Sequence, residues 1–223
     1  MGVVFGAFCG ALLSLMFSVY IEFQRKPKLE FTIESNPIDK SYSKPSIKRA
    51  RFLRVSLHNR QMPILFRWLG RNAAMHCYGT IEFFDYENCI PVFSDPMPLR
   101  WADSKEPMTF LQLSHGQLKK VFDPTKFSSA EYCNVYPGSN EPIDVVAKFD
   151  VDEECYGWSN MNYLPDKTWR NKDWELRKMK YLVHVKVYTN GESKDALYVL
   201  DNTVLRCDCK LVEASKKDKA RMK

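Results

Sequence analysis

The strongest constraint on this chain is a run of nineteen residues without a formal charge, from Val3 to Ile21 (VVFGAFCGALLSLMFSVYI). Wound as an α-helix, such a run spans roughly 28 Å, close to the ~30 Å hydrocarbon core of a bilayer. Its only polar side chains are Ser14, Ser18 and the amphipathic Tyr20. A secretory signal peptide would place Lys or Arg ahead of a shorter apolar core and end on a small-x-small cleavage site. Here no basic residue precedes the run, and Glu22-Phe23-Gln24 follows it. A buried core helix is rarely unbroken apolar sequence of this length at a chain terminus. The reading is a transmembrane anchor over residues 1–24.

Charge places the rest. The formal surplus is +6; Arg25, Lys26 and Lys28 hold three units, and the lysines and arginine of residues 214–223, less Asp218, hold four, which leaves the body at −1. A nucleic-acid-binding domain carries its surplus on the folded body, so no nucleic-acid partner is expected. The flanking cations predict anionic headgroup contact at Arg25, Lys26 and Lys28, and the positive-inside rule puts the larger, C-terminal part in the cytoplasm. The cysteines fall at no disulfide-framework spacing, in keeping with a reducing compartment. Residues 214–223 read as a basic, flexible tail. Within the anchor, Gly6 and Gly10 stand one turn apart on one helix face. That spacing suits close helix packing in a homodimer, though glycine is also simply common in membrane helices.

After Pro27 the apolar pattern alternates, as half-buried strands require. Leu29, Phe31 and Ile33 share one face, Leu53, Val55 and Leu57 another, and Met75, Cys77, Ile81 and Phe83 a third. Further strands are expected at 108–113, 117–122, 142–150 (Ile143, Val145, Ala147 and Phe149 on one face), 181–188, 195–200 and 203–213. Ser35 to Lys48 reads as a loop, and Asn190-Gly191 as a hairpin turn. Many short strands with turn signals between them predict an all-β fold: one antiparallel β-sandwich over 25–213, with a closed barrel as the alternative.

Two stretches carry a resemblance. Val55-Ser-Leu-His-Asn59, a connection, then Ala74-Met-His-Cys77-Tyr-Gly-Thr-Ile81-Glu-Phe83, with a later Gly116 before a strand, resembles immunoglobulin-like sandwich modules of the CARDB type. The resemblance implies an immunoglobulin-like sandwich and covers about half of the soluble part; the long apolar connection departs from it. Glu153-Glu-Cys-Tyr-Gly-Trp158, Trp169-Arg-Asn171 and the Tyr181–Gly191 hairpin resemble uncharacterised archaeal membrane-anchored proteins. That likeness implies topology and no activity.

Residues for catalysis are sparse. His58, His76 and His184 fall on polar strand faces, and His76 and Cys77, as strand neighbours, point oppositely. Cys207 and Cys209 share an apolar face, where cysteine acts as a small hydrophobe. The acidic run Asp150, Asp152, Glu153 and Glu154 lacks the ligand offsets of a calcium loop. No nucleophile elbow, phosphate loop or zinc spacing is present, so neither enzyme, metal nor cofactor is expected.

Two connections stand out. Residues 61–71 set Ile64, Leu65, Phe66, Trp68 and Leu69 among arginines. They would dip into the membrane interface, dock a partner, or fold back over the core. Residues 155–174 carry Trp158, Tyr163, Trp169 and Trp174 beside amides and Arg170, either as an aromatic binding platform or as cover for an open sheet edge. The functional expectation is a single-pass anchored interaction or scaffold module that holds a protein partner at the bilayer through Trp158, Tyr163, Trp169, Arg170, Trp174, Phe66 and Trp68. An outward-facing glycan or cell-envelope binding domain, and a hydrolase, are the alternatives.

Overall fold

The structure is a computed structural model that describes residues 2–34, 38–41, 49–112, 118–150, 152–164, 169–190, 192–205 and 208–222. His115, Gly116, Gly191 and Cys207, with most of the Ser35–Lys48 loop, lie outside the described residues. The apolar run forms α1 (Gly2–Arg25). Its Phe8, Leu13, Met16, Phe17, Val19 and Phe23 are exposed, and Ala7–Arg25 is long and apolar enough to cross a membrane. A helix apolar all round whose membrane-length window is left unburied is not a core helix, because each Å² left in water forgoes about 25 cal/mol.

The strands follow as β1 (Leu29–Ile33), β2 (Ile38–Ser41), β3 (Arg49–Asn59), β4 (Ala74–Asp85), β5 (Met97–Pro98), β6 (Arg100–Trp101), β7 (Met108–Gln112) and β8 (Leu118–Phe122). After α2 (Pro124–Ser129) come β9 (Cys133–Val135), β10 (Asn140–Phe149), β11 (Cys155–Gly157), β12 (Glu175–Leu176), β13 (Lys180–Thr189), β14 (Glu192–Asp201) and β15 (Lys210–Glu213), then α3 (Lys216–Arg221). One sheet runs β1-β3-β10-β11-β12, with β2 on β3 and β6 on β10. The other runs β15-β14-β13-β4-β5, with β9 on β4, and β7 and β8 pair separately. Every ladder is antiparallel.

The two sheets bury a shared core between them, Leu53, Val55, Leu57, Ile143 and Val145 from one and Ile81, Phe83, Val183, Val185 and Val187 from the other. The alternation read from sequence located these faces. It failed along β10, where the register against β3 shifts between Asp144 and Val146. One extra residue there turns every later side chain over. Val146 joins the main core, while Ala147 and Phe149 face outward and gather with Ala50, Phe52, Met108, Tyr156, Trp158, Tyr163 and Trp169 in a second core. Lys148 consequently points inward; its buried ammonium donates to Asn202 Oδ1 (2.6 Å) and to the Glu153 and Val204 carbonyls.

Other expectations need correcting. The Ser35–Lys48 loop contains β2, paired to β3 from Ile38 to Ser41. The strand expected at 203–213 shrinks to β15, because Thr203 bonds the Asp201 carboxylate in a turn. Met75 is exposed, since β4 is irregular between Ala74 and Cys77 where it meets β9. The basic tail is not free: Ser215 and Asp218 form a reciprocal capping box on α3. Asp218 accepts from the Tyr86 hydroxyl, and Arg221 donates to the Tyr86 and Glu87 carbonyls.

Candidate functional site

The junction between α1 and the sandwich is held by a network of hydrogen bonds. A helix ends with carbonyls that have no intrahelical partner. Here the 59–72 connection supplies those partners. Arg71 Nη1 donates to the carbonyls of Lys26 (2.7 Å) and Gln24 (3.3 Å), and Asn72 N donates to Arg25 O (2.7 Å). Asn59, fully buried at the end of β3, fastens the other side. Its Oδ1 accepts from Lys28 N (3.1 Å), and its Nδ2 donates to Asn72 O (3.0 Å) and Val135 O (3.1 Å). Arg60 N closes the clasp on Lys28 O (2.9 Å). The helix therefore enters the domain through a bonded joint, with only residues 26–28 between α1 and β1.

From the same connection projects a 3-10 helix, Ile64–Leu69. Pro63, with φ near −54°, starts it, and Gly70 ends it at φ +63°, a backbone region that favours glycine. None of its residues is buried. Ile64 and Leu65 are 83% exposed and Trp68 76%, with Phe66 also exposed. Those values decide against the fold-back over the core and leave an apolar projection beside the end of α1.

A cleft of about 420 Å³ separates this projection from α1. Lys28, Arg60 and Arg71 line it together with Tyr20, Phe66 and Leu69. Arg60 pairs with Glu30 across an exposed 3.3 Å contact. Arg71 is only 9% exposed, and burial together with the neighbouring Arg60 charge pulls its pKa below the usual arginine value. Its Nη2 lies 3.2 Å from Met62 Sδ, and its buried Nε has no hydrogen-bond partner among the described residues.

The expected headgroup residues flank this site. Arg25 pairs with Glu22 (3.2 Å) and Lys26 with Glu192 (3.8 Å), while Lys28 is among the residues lining the cleft. Gly10 faces open space on α1. Phe66 and Trp68 stand at the surface as a partner or lipid contact needs.

The second expected loop does not. Trp158, Tyr163 and Trp169 are 2–5% exposed and belong to the second core, Trp158 edge-on to Phe52 at 5.0 Å. Arg170 is held by the Asp152 carboxylate and lies 4.4 Å over the Phe149 ring. Trp174 packs edge-on to Phe93 at 5.0 Å. Trp158, Tyr163, Trp169 and Arg170 cover the outward apolar face of the first sheet, while Trp174 packs against the core between the sheets, and these side chains offer no aromatic platform to a partner or a glycan. Residues 165–168 lie outside the described residues.

The ionisable groups are mostly spoken for. Asp150 pairs with Arg49 and Glu153 with Lys178. His184 sits between Glu82 (3.1 Å) and Asp195 (3.2 Å) on a strand face, and no nucleophile is bonded to it among the described residues. Burial pushes the Cys209 thiol to about 11, and burial with nearby Glu141 pushes Cys133 to about 12. The described residues hold no cluster of three or more metal-ligating side chains. Comparison with family models, with curated proteins and with solved structures finds no match.

Sequence reasoning found Phe66, Trp68 and the flanking cations. It also singled out Arg60, Arg67 and Arg71 as arginines for lipid phosphate, but not Asn59, Asn72 or the bonding of Arg71 to the end of α1, because these work through contacts far apart in the chain. The one available signal was an asparagine ending an otherwise apolar-alternating strand.

Proposed function

We propose that this protein is a single-pass membrane-anchored module whose β-sandwich rests on the cytoplasmic bilayer surface and holds a protein partner there. One observation carries the reading: the connection that caps the end of α1 through Arg71 and Asn72 is the same one that thrusts Ile64, Leu65, Phe66 and Trp68 outward. Apolar residues fixed beside the end of a membrane-length helix belong at headgroup depth, where tryptophan and arginine are favoured. Two attachments would hold the domain in one orientation, which suits a scaffold better than a freely swinging tether does.

The surface for a protein partner, on this reading, lies on the second sheet. Tyr78 stacks on Tyr188 at 5.3 Å and meets Tyr132 at 5.9 Å, and Tyr78 and Tyr132 are exposed. Tyrosine is enriched at protein interfaces because it gives large contact area at small entropy cost. The strand order also supports an immunoglobulin-like sandwich. The neighbours β1-β3-β10-β6 and β14-β13-β4-β5, with the chain crossing between sheets from β3 to β4, are the order such a sandwich would have, beside further strands β2, β9, β11, β12 and β15.

The topology is tested by an impermeant maleimide on intact cells carrying Ser94→Cys, an exposed site away from the anchor. Labelling only after permeabilisation supports a cytoplasmic domain; labelling of intact cells overturns it. Cys155 and Cys133 are poor reporters, since the first is fully buried and both thiols are raised by burial.

A further inference from the structure

We infer that the cleft between α1 and the 64–69 helix binds the phosphate headgroup of one anionic phospholipid, with the acyl chains lying against the apolar wall beside the helix. The inference rests on the bilayer placement proposed above and adds a ligand to it. Three observations support it independently. Lys28, Arg60 and Arg71 all line the cleft, and none of its lining residues is acidic. Arg71 is nine-tenths buried, has no carboxylate within 4 Å among the described residues, and keeps a buried Nε without an acceptor. A buried guanidinium left without an anion is costly, so a phosphate oxygen at Nε would satisfy both a charge and a donor.

The third observation is shape and place. Tyr20, Phe66 and Leu69 give the cleft an apolar side, Gln24 and Gln61 are its uncharged polar residues, and Tyr20 belongs to the membrane-length helix itself. A free phosphate has no use for such a wall, whereas a lipid presents an anion and a hydrocarbon chain together, at the end of a helix long enough to cross its bilayer. Glu30 pairs with Arg60 at the rim, but that contact is exposed and easily exchanged.

The test uses the full chain in detergent micelles containing equal phosphatidylcholine and phosphatidylglycerol, with retained lipid counted by native mass spectrometry. One phosphatidylglycerol per chain is expected, in preference to phosphatidylcholine. Lys28→Gln and Arg60→Gln remove charge without touching the bonds that cap α1, and each is expected to lower retention roughly fivefold. Arg71→Gln also disturbs the joint, so it is read beside Arg71→Lys, which keeps charge but loses Nε and is expected to lower retention as well.

Equal retention of the two lipids, or retention unchanged in Lys28→Gln and Arg60→Gln, overturns the inference. So does millimolar inorganic phosphate displacing the bound lipid, which would mark a site for free anions. Quenching of Trp68 by brominated lipid, measured on the same protein in vesicles, separates the two proposals. Quenching without lipid selectivity removes the headgroup site and leaves the placement standing; loss of both removes both.

Discussion

Two connections in this molecule look alike in sequence and fold to opposite ends. Residues 61–71 and 155–174 each mix tryptophan with arginine between strands. Yet Trp68 is 76% exposed and Trp158 is 2% exposed. The difference lies in what each connection passes over. Beneath 155–174 the first sheet turns Ala50, Phe52, Ala147 and Phe149 outward, and that loop's aromatics, with Met108 of β7, cover them. The 61–71 connection leaves β3 where Asn59, Asn72 and Arg71 spend its polar contacts on the end of α1, and its apolar side chains find no sheet face. An aromatic-rich loop is thus a site or a lid according to the neighbouring face, which composition alone does not reveal.

The comparison can be broken most forcefully at Trp158. Trp158→Ala should destabilise the domain by about 3–5 kcal/mol, the range for large buried aromatics, read as a lowered midpoint in chemical denaturation. A loss under about 1 kcal/mol would mean the loop is not a lid. Next comes the joint. Asn59→Ala strands the buried Val135 carbonyl and removes the partly buried bonds to the Asn72 carbonyl and the Lys28 amide. Each such group costs about 1–3 kcal/mol, so a loss of about 2–4 kcal/mol is expected, with faster amide exchange at Lys28 and Asn72. The double change Phe66→Ser and Trp68→Ser should leave the denaturation midpoint within about 0.5 kcal/mol, as exposed sites do. A large loss there would erase the contrast between the two loops.

The smallest effect concerns the docked tail. Hydrogen bonding to Ser215 holds the Asp218 carboxyl below its ordinary value. A depressed carboxyl contributes stability that is present above the unfolded value, near 3.9, and is lost as pH falls through the folded one. Docking of α3 should therefore loosen only in acid, below about pH 4. Amide exchange at Lys219 against pH checks this, and unchanged protection in Asp218→Asn would refute it.

Much of the fold was legible because strand faces announce themselves by alternation. Leu53, Val55 and Leu57, or Tyr181, Val183, Val185 and Val187, lie where period two puts them. What alternation could not show was the bulge after Asp144, since a one-residue insertion leaves the string of apolar residues intact while reversing their direction. That single irregularity creates the second core, and with it the burial of Trp158, Tyr163 and Trp169. The 214–223 tail misled for a related reason: its charges read as solvated, while Ser215, Asp218 and Arg221 act through bonds to one another and to Tyr86 and Glu87. At the candidate site, the apolar helix and Trp68 were visible locally. The joint was not, because Asn59 and Arg71 meet their partners across separations of 13 to 76 residues.

On the proposed placement, the 64–69 helix lies in the membrane interface. Trp68 tests it directly, since the other four tryptophans are buried or half-buried in the domain. The full chain is reconstituted in vesicles whose lipids carry bromine near the headgroup end of the acyl chains, and its emission is compared with that of Trp68→Phe. Strong quenching of the Trp68 component, with a blue-shifted maximum, is expected. An unquenched, red-shifted Trp68 would place the helix in water and contradict the placement.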